Sequence, residues 1–367
     1  MLNLLIVTLA NHSLSGGSVA SRSNYEAFRN TGEFNISVVG SSKLDYVTHP
    51  CNISSSSLRK VLSYARLQPA INYSAILQAI NEASFIGTDV IFFDSSLLGP
   101  LAPELRKRFP RAFLTTFFHN VESTTYHSIM NKRSPLAWTR FISIFRAETL
   151  AARNSDYKIA LSDSDSAALE NQLGAAADII WPITYPPADG IEYDNPLGEE
   201  YVLFVGGYYK PNLDAIEYLA TQIAPRISKK IVVAGFNLCK IQEKYASVSN
   251  MIVIDSPVNL APFYQHANLI LAPIFTGGGI KTKIIEAFSF GKFVVSSAAA
   301  AVGFDNVPTS CIFIANGDND YVTQINASIP SLRRVEIIAE FEKYYSMHAK
   351  SILLKKLIER IIAHRRV

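Results

Sequence analysis

Two series of short apolar runs, each alternating with helical patterns, constrain this chain more than any other feature. In the first half the runs are LNLLIVTL (2–9), FNISVVG (34–40), DVIFFDSS (89–96), AFLTTFFHN (112–120), YKIALS (157–162) and DIIWPIT (178–184). The second series is YVLFVGG (201–207), KIVVAG (230–235), MIVIDS (251–256), NLILAPI (268–274), FVVSS (293–297) and CIFIA (311–315). Runs this apolar, spaced by helix-length segments, predict parallel strands covered on both faces by helices. YPPADGIEYDNPLGEE (185–200), rich in Pro, Gly and acids, separates the series and reads as a linker. The expected class is therefore α/β, with two doubly wound domains, 1–190 and 200–330, since 367 residues exceed one ordinary core. Past Ile329 only helical periodicity remains, so 331–367 is expected as terminal helices.

Charge and cysteine usage narrow the function classes. A net charge of +3 gives no general case for nucleic acid, although 331–367 holds nine Lys/Arg against four Glu. Cys51, Cys239 and Cys311 are far apart and odd in number, which fits a reducing compartment and no disulfide framework. No zinc-ligand cluster is visible. MLNLLIVTLANHS lacks a basic leader and reads as a first buried strand, and no apolar run is long enough to span a bilayer. A cytoplasmic location is expected.

Ligands of doubly wound sheets bind outside the carboxyl ends of the strands. One such loop is anomalous. In FTGGGIKTKIIEAFSFGKFVVSS (275–297), three glycines run into a helix expected over Lys281–Phe290, with Lys281 and Lys283 in its opening turn. Cations are unfavourable at a helix N-terminus, and glycines are costly unless the backbone must bend or approach something closely. A bound phosphate resolves both: backbone N–H groups surround it and the lysines neutralise it. Glu286, one turn on, is placed to accept hydrogen bonds from vicinal sugar hydroxyls. The bland alternative is a flexible glycine loop with solvated lysines.

PIFTGGGIKTKIIEAFSFGKFVV resembles the donor-binding signature of retaining glycosyltransferases of the GT-B fold (family 4-like, glycosyl transferases group 1), in the bacterial polysaccharide branch. Pro273, Gly277, Gly279, Lys281, Lys283, Glu286, Ala287 and Gly291 match that pattern. Lys292 and Phe293 replace the usual small-residue–Pro pair, a change expected to affect only a turn. The family's paired glutamates are incomplete, because Gly278 stands where the first would be. The resemblance implies two Rossmann-like domains facing a cleft, with the C-terminal helices crossing back onto the N-terminal acceptor domain. It also implies donor contacts from Gly277, Gly278, Gly279, Ile280, Lys281 and Thr282, and a ribose contact from Glu286.

Three further elements resemble the family in order. FFHNVESTTY places His119 on the histidine beside the donor sugar, with Glu122 expected to order its own loop or cap the following helix. FVGGYYKPNLDAIEYL supplies Gly206, Gly207 and Lys210, the last on the donor diphosphate or else a solvated loop charge. TLANHSLSGGSVAS supplies Gly16 and Gly17 after the first strand. In DYKIALSDSDSAALE, Asp156, Ser162 and Asp165 are expected to be structural, and the tail phrase YYSM puts Met347 where the family has Trp.

The implied activity is transfer of a sugar, with retention, from a UDP- or GDP-linked donor to a saccharide or lipid-linked saccharide acceptor. His119, Lys210, Lys283 and Glu286 carry the chemistry. No D-x-D pair stands in the donor loops, so no metal and no cofactor is expected. The rival readings are a sugar-nucleotide epimerase or phosphorylase on the same fold and a catalytically silent scaffold of a polysaccharide assembly complex. A membrane surface is a further expected partner: NKRSPLAWTRFISIFRAETLAAR (131–153) interleaves Trp138, Phe141, Ile144 and Phe145 with Lys132, Arg133, Arg140 and Arg146. The alternative is an ordinary core helix.

Overall fold

A computed structural model of the chain describes residues 1–10, 16–82, 87–188, 190–277, 279–327 and 332–365. They form two compact units, Met1–Ile183 with Lys350–Val367, and Thr184–Ala349.

The first unit is built on seven parallel strands: β1 (Leu2–Val7), β2 (Phe34–Gly40), β3 (His49–Pro50), β4 (Val90–Phe93), β5 (Phe113–Phe118), β6 (Tyr157–Ala160) and β7 (Ile179–Ile180). Their spatial order is 3-2-1-4-5-6-7. Leu4 of β1 is in register with Ile36 on one side and Val90 on the other. Every residue of β4 and β5 is buried, as the apolar run of β4 requires, and in β5 the burial takes in Thr115 and Thr116. Burying each large apolar side chain stabilises the sheet by roughly 1.5–3 kcal/mol. The strand order reverses between β1 and β4, which opens a ligand-binding crevice at their carboxyl ends.

The helix Pro135–Asn154 settles where the apolar stretch 131–153 lies. Ser134 caps it, accepting from the Ala137 amide, and Ser143, Ala147, Glu148 and Ala151 form its buried face. That face meets the turn Ser96–Leu101 so closely that a Cβ on Gly99 would stand 2.0 Å from the Ala147 carbonyl oxygen. The opposite face leaves Leu136, Trp138 and Ile142 exposed, while Phe141, Ile144 and Phe145 are half-buried. It is a core helix on one side and an apolar, solvent-facing one on the other.

The tail, expected as one block over 331–367, is divided. The helix Leu332–Tyr344 belongs to the second unit, and only Lys350–Val367, most of the helix Met347–Arg365, belongs to the first. Periodicity marks both as amphipathic helices but does not say which core each one covers. The returning helix is pinned by the buried Lys350, whose Nζ donates to Ser23 Oγ at 2.6 Å and Asn24 Oδ1 at 2.8 Å. The same ammonium lies 5.3 Å from the centre of the buried Trp181 ring. Further along, Arg365 pairs with Asp89 at 3.1 Å and His364 meets Phe113 edge-on.

The second unit has six parallel strands, β8 (Tyr201–Val205), β9 (Lys230–Gly235), β10 (Met251–Asp255), β11 (Ile270–Ala272), β12 (Val294–Ser297) and β13 (Ile312–Ala315), in the order 10-9-8-11-12-13. Its order reverses between β8 and β11. The loops after those two strands are the ones singled out from the sequence.

Candidate functional site

Glycines shape the second unit's crevice. A Cβ on Gly235 would lie 2.3 Å from the Gly206 carbonyl oxygen, and one on Gly206 would lie 2.7 Å from Asn212 Cγ. The loops after β8 and β9 therefore pack backbone against backbone, and only glycine permits it. Gly207 accepts from Asn212 Nδ2 at 3.0 Å, which folds the β8 loop over the start of the helix Lys210–Tyr218. Across the crevice, Gly277 and Gly279 adopt φ of +98° and +73°, left-handed conformations natural to glycine. A Cβ on Gly277 would stand 3.7 Å from Pro211, so the two loops adjoin. Gly278 lies outside the described residues.

The lysines of the anomalous stretch have partners of two kinds. Lys281 is the cap residue of the helix Thr282–Ser289 and gives it no side-chain cap. Its Nζ donates to the carbonyls of Gly277 at 3.0 Å and Gly279 at 2.8 Å, and burial lowers its pKa. Lys283 Nζ donates to Asn212 Oδ1 at 3.0 Å and lies 4.4 Å from the centre of the Phe204 ring. Burial, reinforced by the charge of Lys281 and opposed by Glu286, pulls Lys283 down to about 7. Glu286 is pushed up to about 7 by burial, against a hydrogen bond from Tyr264 and the charge of Lys283. Tyr264 Oη donates to Glu286 Oε2 at 3.0 Å. Thr282 shares a hydrogen bond with the Tyr185 hydroxyl, and Ile280 is half-buried in the loop. Lys210 stands apart: its side chain is 80% exposed and its Nζ is on Asp214 at 2.6 Å, one turn along its own helix.

In the first unit, His119 follows β5 and its Nε2 is 2.8 Å from the Asp94 carbonyl oxygen, with the ring edge-on to Phe117. A carbonyl only accepts, so Nε2 carries the proton and Nδ1 is left as an acceptor. Asp94 itself is buried at the carboxyl end of β4 and accepts from Thr8 Oγ1 at 2.9 Å and Asn24 Nδ2 at 2.8 Å. Gly16 and Gly17 open the helix Gly16–Asn30, and a Cβ at Gly17 would meet nothing within 4 Å. The Glu122 expectation needs correcting. Glu122 makes no side-chain cap; the fully buried Glu148 instead accepts from the Glu122 amide at 2.7 Å, the Ser123 amide at 3.1 Å and the Ser123 hydroxyl. Ser162 and Asp165 form a helix cap and Asp156 ties Leu114 to Arg106. Among the described residues no group of three His, Cys, Asp or Glu side chains is arranged to hold a metal ion.

Sequence reasoning missed Asn212, Tyr264, Asp94 and Glu148. Asn212 stood in a quoted motif, FVGGYYKPNLDAIEYL, but was given no role. Asp94 closes an apolar run at a strand end, a signal that was available. Tyr264 and Glu148 reach their partners from separate helices, and no local spacing announces either.

Comparison with known proteins agrees with this geometry. Residues 199–327 match the family described as glycosyl transferases group 1. No curated protein matches the sequence. Sucrose-phosphate synthase from Thermosynechococcus elongatus superposes with a TM-score of 0.72 at 15% identity, covering 99% of this chain and 100% of its own. Anabaena HepE in complex with UDP-glucose gives 0.68 at 12% identity over 98% and 100%. The lipopolysaccharide outer core galactosyltransferase WaaB gives 0.60 at 15% identity over 97% and 100%. These likenesses show the fold: two Rossmann-like units of the GT-B type.

The two shifted groups predict a particular pH dependence of stability. Between the ordinary 4.5 of a glutamate and about 7, folded Glu286 keeps a proton that the unfolded chain has released, so its contribution falls as pH rises. Between about 7 and the ordinary 10.5, folded Lys283 lacks a proton that the unfolded chain holds, so its contribution rises with pH. Urea unfolding of the native protein, minus that of a Lys283→Met/Glu286→Gln variant, should therefore show a minimum near neutral pH. A flat difference curve would mean that neither group is buried as described.

Proposed function

With a glycosyl transferases group 1 domain over residues 199–327 and the GT-B fold throughout, the chain is, we propose, a retaining hexosyltransferase of polysaccharide assembly. It moves a sugar from a nucleotide-sugar donor to a saccharide or lipid-linked saccharide acceptor. The observation that carries this reading is the second unit's switch point, where the β8 and β11 loops adjoin and the Lys283–Asn212 bond ties them together. An ammonium pulled down to about 7 by burial is one that a diphosphate would restore to full charge.

The proposed roles follow from what each group can donate or accept. The first-turn amides of the helix Thr282–Ser289 and the glycine loop receive the donor diphosphate, with Lys283 and Lys281 neutralising it. Glu286, already accepting from Tyr264, accepts from the ribose hydroxyls through its remaining lone pairs. His119 Nδ1 accepts from a hydroxyl of the donor sugar. The bond from the anomeric carbon to the diphosphate oxygen breaks as the acceptor oxygen bonds on the same face, and the acceptor's proton passes to the departing phosphate. Charge on that leaving group is met without a metal, by the lysines and the helix N-terminus. Lys210, exposed at the rim of its loop, needs only a rotation away from Asp214 to join them. The complex of Anabaena HepE with UDP-glucose supports a UDP-linked donor over a GDP-linked one.

A thermal-shift series with UDP and GDP tests this. UDP at about a hundredfold over its Kd should add roughly 2.7 kcal/mol of stability. In Glu286→Gln, UDP binding should weaken about tenfold, as expected for the loss of a charged hydrogen-bond acceptor, with transfer falling in step. Equal UDP affinity in that variant would remove Glu286 from the ribose site.

The acceptor side of the proposal includes a peripheral attachment to the inner face of the cell membrane. Among the described residues no helix is long and apolar enough to cross a membrane. The exposed face of Pro135–Asn154 offers Leu136, Trp138 and Ile142, and Arg146 donates to the Arg66 carbonyl just past the helix Ser57–Ala65, where Val61 and Leu62 are also exposed. Lys60, Lys132, Arg133 and Arg140 are exposed in the same two segments, a composition suited to anionic headgroups. Flotation with phosphatidylserine-containing vesicles should show binding at low salt that declines as ionic strength rises. Absence of binding at any salt would leave a soluble acceptor.

A further inference from the structure

The departure from the family pattern at Lys292–Phe293 does more than alter a turn. Both residues line a cavity of about 490 Å³ in the second unit, together with Glu200, Lys229, Asn268, Arg333 and Arg334. Glu200, Asn268 and Lys292–Phe293 precede β8, β11 and β12, and Lys229 immediately precedes β9. The cavity therefore sits at the amino ends of the strands, at the opposite edge of the sheet from the glycine loops. A volume of this size suits a small-molecule ligand.

The lining is strongly cationic and under-neutralised. Four cations, Lys229, Lys292, Arg333 and Arg334, face one carboxylate, Glu200, which stands 4.0 Å from Lys229. Among the described residues no carboxylate pairs with Lys292, Arg333 or Arg334. Lys292 Nζ donates to the Gln265 carbonyl at 2.8 Å and the Ala267 carbonyl at 2.9 Å, leaving the third of its three donors. The Arg333 guanidinium carbon lies 4.6 Å from the centre of the Phe293 ring, a cation–π contact that uses none of its N–H donors, so they remain for bidentate contacts. Arg333 and Arg334 sit in the first turn of the helix Leu332–Tyr344, a turn without an acidic residue; the helix's glutamates, Glu336, Glu340 and Glu342, come after it. Burial, then the charge of Arg334, brings Lys292 down to about 8, the shift expected of an ammonium held among cations without an anion. Among the described residues Asn268 Oδ1 is buried with no hydrogen-bond partner, an acceptor suited to a hydroxyl.

We propose that this cavity is a second anion site, separate from the nucleotide crevice, that binds a phosphate dianion, free or carried on a sugar, through Lys292, Arg333 and Arg334. A planar fork beside a fixed ammonium is a set of donors matched to a phosphate dianion. The site does not depend on the transferase reading, since binding alone tests it. Calorimetric titration of the full chain with inorganic phosphate and with glucose 6-phosphate is the experiment. Both probes should bind, and both should bind at least about tenfold more weakly to Arg333→Gln/Arg334→Gln, through loss of charge-assisted hydrogen bonds. Lys281→Ala should leave their affinity unchanged. Tighter binding of glucose 6-phosphate would assign the cavity to a sugar phosphate using Asn268, and equal affinity would assign it to free phosphate. Affinity retained in the arginine variant, affinity lost in Lys281→Ala, or no binding of either probe would overturn the proposal.

Discussion

The candidate site depends on one ammonium kept where it is disfavoured. Lys283 is enclosed at the second residue of a helix, beside another lysine, with one amide oxygen as its hydrogen-bond partner and a phenyl face beneath it. Desolvation and the helix dipole both work against its charge. That arrangement persists because Asn212 is itself held by the Gly207 carbonyl, so the amide is oriented before any ligand arrives. The geometry around it follows: the glycines of the β8 and β9 loops give Asn212 its room, and the left-handed Gly277 and Gly279 carry the chain past Pro211 into the helix. An ammonium held at a cost and relieved by an anion is how a binding site favours its ligand.

The first unit shows the same economy with the opposite charge. Asp94, buried at the switch point, is held by Thr8 and Asn24, and its own carbonyl fixes the tautomer of His119. Asn24 also receives Lys350 from the terminal helix, so the residue that anchors the returning chain shares a partner with the carboxylate beneath the histidine. Glu148 adds a second support by holding the amides at positions 122 and 123, three and four residues beyond that histidine.

Much of this was legible in the sequence, for physical reasons. Strands buried on both faces are predominantly apolar, and so β4 (VIFF) and β8 (YVLFV) announced themselves, while β5 and β12 did so despite a pair of hydroxyl residues in each. Glycines beside lysines at a strand end broke two local rules at once, and that conflict pointed to the loop after β11. Contacts that join distant segments were not legible. Tyr264 and Glu286 lie on different helices, and the amphipathic tail carried no mark of the division at Lys350. Lys292–Phe293 looked like a local exchange because its consequence lies with Arg333, on a helix some forty residues away in the chain.

The central claim is that the nucleotide of the donor is held by the β8 and β11 loops of the second unit. Amide hydrogen exchange with and without UDP measures this most directly, because ligand contact and the closing of local openings both slow exchange. The account predicts protection concentrated in residues 204–212 and 279–286, with the amino-end segment 291–293 and the helix Leu332–Tyr344 unchanged. Protection confined to that amino end, or to the first unit alone, would contradict it.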